Sequence, residues 1–225
     1  MAREAFPPLP VYRWDASVPY REAARRQEEC VARGHECLIL CEHPATITLG
    51  TGAGPDDLAG GGEFYARRGI EICRSPRGGK ATYHGPGQLV GYPILNLRGR
   101  GVTIHGHLRF LEELMIAACA RFGVSARRIE GQSGAWAGNK KLGFVGIRVR
   151  QGYAFHGFSL NVTPQHDPFR WIVPCGMPGL EITSLEEERG DRGVPVWEAA
   201  EVIEGVFFER LGEMPLASVA RVVHL

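Results

Sequence analysis

This sequence predicts an α+β domain on a mixed or largely antiparallel sheet, and three observations point to it. Two stretches, 105–122 and 196–211, carry apolar residues at the three-and-four spacing of a helix buried on one side. Short apolar or β-branched runs fill most of the chain before and between them. Strands and helices do not alternate in the regular way of a parallel α/β sheet. The 225 residues suit one large domain, 1–225, better than two.

Taken in order, residues 19–33 read as a helix, with Ser17 as candidate N-cap, Pro19 near the first turn and Gly34 beyond the end. CLILCEH (37–43) and ATITLG (45–50) read as strands. The glycine-rich stretch from Gly50 to Gly62 reads as a loop, either mobile and functional or merely a long connection. Leu108, Leu111, Met115, Ala118 and Phe122 mark the clearest helix, which Gly123 stops. KLGFVGIRV (141–149) and YAFHGFSLNV (153–162) flank a short turn and predict an antiparallel hairpin. Pairing about that turn places Gly146 opposite His156, beside Gly157, and Lys141 near Asn161, to within a residue or two. LEEERGDRG (185–193) reads as an exposed loop, and Val196, Ala200, Ile203, Phe207 and Leu211 mark the last helix.

Hydrophobic residues make up 44% and charged residues 23%, an ordinary globular balance. A net charge of +1 gives no electrostatic case for nucleic acid. No apolar run reaches bilayer-spanning length, and MAREAFPPLPVYRW lacks the apolar core of a secretory leader. The expected place is the cytoplasm, with no membrane partner. There the six cysteines (Cys30, Cys37, Cys41, Cys73, Cys119 and Cys175) stay reduced.

Two motifs carry chemistry. PCG at 174–176 holds one thiol in a tight turn; a thiolate is a strong nucleophile near neutral pH, and a nearby ammonium favours it. The same residues also fit a small buried cysteine in a turn. RGGKATYHGPGQLVGYP (77–93) sets Thr82, Tyr83 and His84 among glycines, which let backbone approach a ligand closely. It fits a glycine-rich bend with a satisfied histidine equally well. It is not a phosphate loop, because Arg74 and Ala81 stand where GxxxxGK[ST] requires Gly and Ser or Thr. GTGAG (50–54) has the wrong spacing for a dinucleotide site, and IHGH (104–107) opens a helix. His35, Cys37, Cys41 and His43 lack CxxC spacing; Cys37, Ile39 and Cys41 alternate on one strand face, so buried thiols are expected and no metal. Basic residues between Arg67 and Arg150 gather around these motifs and would attract an acidic partner protein if they converge.

Three segments together resemble the lipoyl(octanoyl) transferase family, lipoate biosynthesis protein B: RGG-x-x-TYHGPGQ, the lysine-bearing hairpin KKLGFVGIRV…FHGFSLNV, and PFRWIVPCG. EHPATITLG resembles the strand pair before them, so the likeness runs from about 36 to 180. The resemblance implies a fold like the catalytic domains of biotin and lipoate ligases. It implies Cys175 as acyl-accepting nucleophile and Lys141 as its acid/base partner. Arg77, Gly78, Gly79, Lys80, Ala81, Thr82, Tyr83 and His84, with Phe144, Val145, Gly146, Gly157, Phe158 and Ser159, align with segments that line the acyl site. The implied activity moves octanoyl from octanoyl-acyl carrier protein to a lysine of apo-lipoyl domains, those of 2-oxoacid dehydrogenases and the glycine cleavage H protein, with no cofactor. LGF after Lys141 and the 50–62 loop depart from the family pattern. The rival readings are an ATP-dependent lipoate–protein ligase, a transferase acting between two lipoyl-type domains, and a non-catalytic acyl- or carrier-binding module.

Overall fold

A computed structural model describes residues 9–14, 16–164, 166–190 and 193–213. In chain order the elements are β1 (Val11–Arg13), α1 (Tyr20–Ala32), β2 (Cys37–Cys41), β3 (Thr46–Leu49), α2 (Gly62–Ala66), β4 (Glu71–Arg74), β5 (Ala81–His84), β6 (Gln88–Asn96) and α3 (Leu97–Arg100). They continue with α4 (Ile104–Arg121), β7 (Arg127–Ile129), β8 (Gln132–Ala137), β9 (Lys140–Arg150), β10 (Tyr153–Asn161), α5 (Leu185–Arg189) and α6 (Val196–Glu213). Seven strands form one sheet in the order β1-β2-β6-β10-β9-β8-β7, and three form a second in the order β4-β3-β5. Both are mixed: β1 runs parallel to β2 and β3 to β4, while the remaining pairs are antiparallel.

Strand alternation sorts the core into layers. Leu38 and Leu40 of β2 join Leu111, Leu114 and Met115 of α4 and Ile203 and Phe207 of α6 on one face of the large sheet. Cys37, Ile39 and Cys41 point the other way, toward Ala23, Cys30 and Val31 of α1. A third core joins Ile47, Leu49 and Tyr83 of the small sheet to Phe144 of β9 and to Phe169 and Ile172. The small sheet therefore covers the part of the large sheet that α1 leaves open. Among the described residues no helix is long and apolar enough to cross a membrane.

The hairpin turns through Gln151 and Gly152, with φ of 53° and 85°, the paired positive values of a tight two-residue connection. Its register differs by one residue from the sequence expectation: Gly146 faces Gly157, not His156. Pro19, not Ser17, stands at the N-cap of α1 and offers no side-chain bond. The 185–193 stretch is not all loop. Ser184 Oγ accepts the Glu187 N–H at 3.2 Å and starts α5, and Gly190 at φ 74° ends it; residues 191 and 192 lie outside the described residues. The glycine-rich loop is pinned, because Ala59 N–H donates to Trp171 O at 2.9 Å and Val173 N–H to Asp57 O at 2.9 Å. It thereby supports the strand-like segment that leads to Cys175.

His107 near the start of α4 is fully buried, with both ring nitrogens unpartnered among the described residues. Burial pushes its imidazole down to about 4. The unfolded chain takes up this proton near pH 6.5 and the native one only near 4, so stability falls as pH drops through that window. The loss is up to about 3 kcal/mol at about 1.4 kcal/mol per unit. His107→Leu is expected to lessen the fall in Tm between pH 6.5 and 4.5, the remainder coming from the other buried histidines, as thermal melts across that range would show.

Candidate active site

Cys175 sits in a turn hung on the edge of the small sheet. Pro174 bridges to Ala81 of β5, and the Cys175 N–H donates to Ala81 O at 3.0 Å. Cys175 and Gly176 both adopt positive φ, 58° and 71°. For cysteine this is a sparsely populated conformation that the surrounding bonds must hold, a kind of strain that clusters at functional sites. Cys175 is partly exposed, whereas the other five cysteines are buried. Burial pushes the Cys73 thiol up to about 11 and that of Cys119 to about 12, which removes them as nucleophiles.

Lys141 is the second residue of β9, and its side chain is among the largest fully buried ones. Its ammonium donates to Ser133 O at 2.6 Å and lies 4.8 Å above the Trp136 ring and 5.3 Å from the Phe144 ring centre. The chain just past Cys175 returns beside it: Lys141 N–H donates to Glu181 O at 2.8 Å, and Thr183 N–H to Lys141 O at 3.0 Å. This bridge, centred on Ile182, draws the cysteine turn and the lysine together. Burial pushes the Lys141 ammonium down, while charge and hydrogen bonding from Cys175 hold it up. A buried cation and an accessible thiol thus form a pair suited to proton exchange.

Beside this pair a cavity of about 190 Å³ opens between the two sheets. Of the residues expected there, Arg77, Gly79, Lys80, Ala81, Thr82 and His84 line it from the small-sheet side. Phe144, Val145, Gly146, Gly157, Phe158 and Ser159 line it from the hairpin, and Cys175 lines it too, whereas Lys141 does not reach its wall. Gly78 supports rather than lines it, donating its N–H to Ile147 O at 2.8 Å. Tyr83 alternates to the opposite strand face and packs on Phe169 with ring centres 5.5 Å apart. Gly146 is needed for clearance: a Cβ there would stand 3.1 Å from Arg77 Cδ and 3.3 Å from Gly78 O.

Arg77 works as a buried clamp. It donates to Thr48 O and Oγ1, each at 2.7 Å, to Lys80 O at 2.9 Å and to Gly78 O at 3.0 Å, which fixes the glycine block on β3. His84 shares a 2.7 Å hydrogen bond with Gln88 Oε1; Gln88 donates to Asn161 Oδ1 at 2.9 Å and Asn161 to Thr183 O at 2.9 Å. Burial, with repulsion from His43, holds His84 neutral well below the usual range. Burial likewise takes His156 down to about 3 and His43 to about 4. The cavity wall is therefore mostly apolar, and the imidazoles on it are uncharged. Thr82 Oγ1, Ser159 Oγ and both ring nitrogens of His156 are buried without a hydrogen-bond partner among the described residues.

Five lining residues escaped the sequence reading as site residues: Tyr20, Val90, Tyr92, Ser133 and His156. His156 carried a signal, lying beside Gly157 in the hairpin; Tyr20 arrives on a helix far from every motif. One further position is mechanically sensitive. Gly134 has φ 111°, and a Cβ there would lie 2.3 Å from Gly143 O and 3.1 Å from Lys141 Cε. Gly134→Ala is expected to cost about 2–4 kcal/mol through strain and clash, measured by denaturant unfolding.

The family model of the lipoyl protein ligase A/B catalytic domain matches residues 19–208. An octanoyltransferase of Geobacter sp. (strain M21) is 45% identical over 178 residues, covering 77% of this chain and 84% of that protein. The chain belongs to the octanoyltransferase family. Solved structures share the fold at lower identity. A lipoate-protein ligase A bound with ATP superposes with TM-score 0.73 at 17% identity, covering 91% of this chain and 86% of that one. The bi-partite lipoate protein ligase of Thermoplasma acidophilum gives 0.71 at 16%, covering 91% and 83%. The lipoate-ligase-like fold expected from the motifs is thus the one observed.

Proposed function

We propose that this chain transfers octanoyl from octanoyl-acyl carrier protein to a lipoyl-domain lysine in protein lipoylation, through a thioester on Cys175. The supporting observation is a partly exposed thiol that lines a largely apolar cavity, with the buried Lys141 ammonium close enough to act on it by charge and hydrogen bonding. The Cys175 thiolate attacks the carrier thioester; the C–S bond to the carrier breaks, and the leaving thiol takes a proton from Lys141. The acceptor lysine then attacks the Cys175 thioester as a free amine. Its surplus proton passes to Lys141, an amide forms, and the Cys175 thiolate is restored.

The oxyanion needs donors. N–H groups of Cys175, Gly176 and Met177 are already bonded to Ala81, Val173 and Pro174 carbonyls. Those of Gly79 and Lys80 carry no hydrogen bond among the described residues and, with the Thr82 hydroxyl, are the better placed donors. Burial of an eight-carbon tail contributes roughly 5–6 kcal/mol gross. The first transfer exchanges one thioester for another and the second forms a more stable amide, so ATP is not required.

The donor is octanoyl-carrier protein, and the acceptors are apo-lipoyl domains of 2-oxoacid dehydrogenases and the glycine cleavage H protein, in the cytoplasm. Lys80 stands half exposed beside Gly176, where its ammonium is 3.4 Å from Asp57 Oδ1; the exposed side of that ion pair is where an acidic carrier would meet positive charge. The test compares two mixtures with apo-lipoyl domain: octanoyl-carrier protein without ATP, and free octanoate with ATP. Octanoylation in the first alone supports the reading; octanoylation in the second alone overturns it in favour of a ligase.

A further inference from the structure

We propose that Glu112 is a positioning residue that holds Lys141 in place and in its charged form by acting across one peptide group. The inference rests on the reading of Lys141 as acid/base partner of Cys175.

Glu112 lies on α4, outside every motif, and is 4% exposed. Its Oε1 accepts the Gly134 N–H at 3.1 Å. The carbonyl of that same peptide group, Ser133 O, accepts the Lys141 ammonium at 2.6 Å. A carboxylate, an amide plane and an ammonium therefore stand in series. A negative charge on the N–H side polarises the amide and makes its carbonyl a stronger acceptor, and such chains reinforce one another in a low dielectric. Glu112 also favours the ammonium directly, after the larger effect of Cys175.

The carboxylate has no freedom to turn away. Its Oε2 accepts from Arg109 at 3.0 Å and from Arg128 Nε at 3.1 Å. Arg128 is itself held by Glu113 at 2.7 Å. The peptide group is equally confined, because Gly134 occupies φ 111° against Gly143 O. The titratable and charged groups that face Lys141 are Cys175 from its turn and Glu112 from α4, the latter backed by Arg109 of α4 and Arg128 of β7; Trp136 and Phe144 present ring faces, and Glu181 presents only its backbone. Removing the negative charge should release the Lys141 proton more readily. Removing a positive charge behind it should do the reverse. A tie that merely fastened α4 to β8 would give no such opposition.

The chain has only three lysines, Lys80, Lys140 and Lys141, so carbon-13 NMR with lysine labelled at Cε resolves each. Lys141→Met assigns the signal. The pH titration of Lys141 is compared in the native chain, Glu112→Gln and Arg128→Gln, beside the pH dependence of octanoyl transfer. We expect the Lys141 titration to move down by about one pH unit in Glu112→Gln and upward in Arg128→Gln. The alkaline limb of kcat should follow in the same directions while KM for the lipoyl domain stays constant. Unchanged titrations, or shifts of the same sign in both variants, overturn the proposal. Arg128 is partly exposed, so its variant keeps the test decisive if Glu112→Gln does not fold. If the titrations move as expected but the alkaline limb does not, Glu112 still positions Lys141, and the acid/base assignment of Lys141 fails instead.

Discussion

Cys175→Ser is expected to lower octanoyl transfer at least about a thousandfold while leaving Tm within about 2 °C of the native chain. A serine hydroxyl gives up its proton far less readily than a thiol, so the Lys141 partner no longer generates the nucleophile. The fold should be indifferent, because the turn is held by backbone bonds from Cys175 N–H to Ala81 O and from Gly176 N–H to Val173 O. Cys119→Ser, on the buried face of α4, should show the opposite pattern: transfer intact per folded molecule, stability reduced. Steady-state transfer to an apo-lipoyl domain, with melts of the same samples, separates the two.

Lys141→Met is expected to cut kcat by about 10²–10⁴-fold, the range for a positioned proton-transfer group. Its effect on stability should have the other sign. Burial lowers the Lys141 pKa below 10.5, so the native state binds this proton less well than the unfolded chain does. The penalty is fully present below the folded pKa and is relieved as pH rises through it toward 10.5. Methionine keeps the stem and removes the charge, so at pH 7 the variant should melt at or above the native temperature. A loss of activity with unchanged or raised Tm marks a group retained for chemistry; a loss of both would make Lys141 a structural residue. The pH profile of native transfer should also show an alkaline limb, where the ammonium that protonates the leaving thiol is lost.

Much of this site was legible in the sequence because its parts are local. Glycines at 78, 79, 146 and 157 announce close backbone approaches, and PCG announces a constrained thiol. The hairpin could be paired from its turn alone, and the one-residue error in register reflects a turn of two residues, Gln151 and Gly152, rather than a longer one. Helices 105–122 and 196–211 were legible because each buries a periodic stripe against one sheet face. What stayed hidden depends on long-range placement. The split of β2 and β3 into different sheets follows from pairings with β6 and β5, which no local pattern encodes. Tyr83 reads as part of the motif, yet strand alternation turns it from the cavity. The 185–193 charges read as loop because the Ser184 cap and Gly190 stop enclose little more than one turn of helix. Glu112 lies in no motif, and only the fold shows it facing the Ser133–Gly134 peptide.

Intact-mass spectrometry of the native chain and Cys175→Ser after mixing with octanoyl-carrier protein, without ATP, tests the central claim most directly. An octanoyl-sized increment on the native chain, absent from the serine variant and lost on adding apo-lipoyl domain as that domain gains it, is the predicted result. No increment on the native chain while the lipoyl domain still becomes octanoylated, or an equal increment on both chains, would contradict an acyl-enzyme at Cys175.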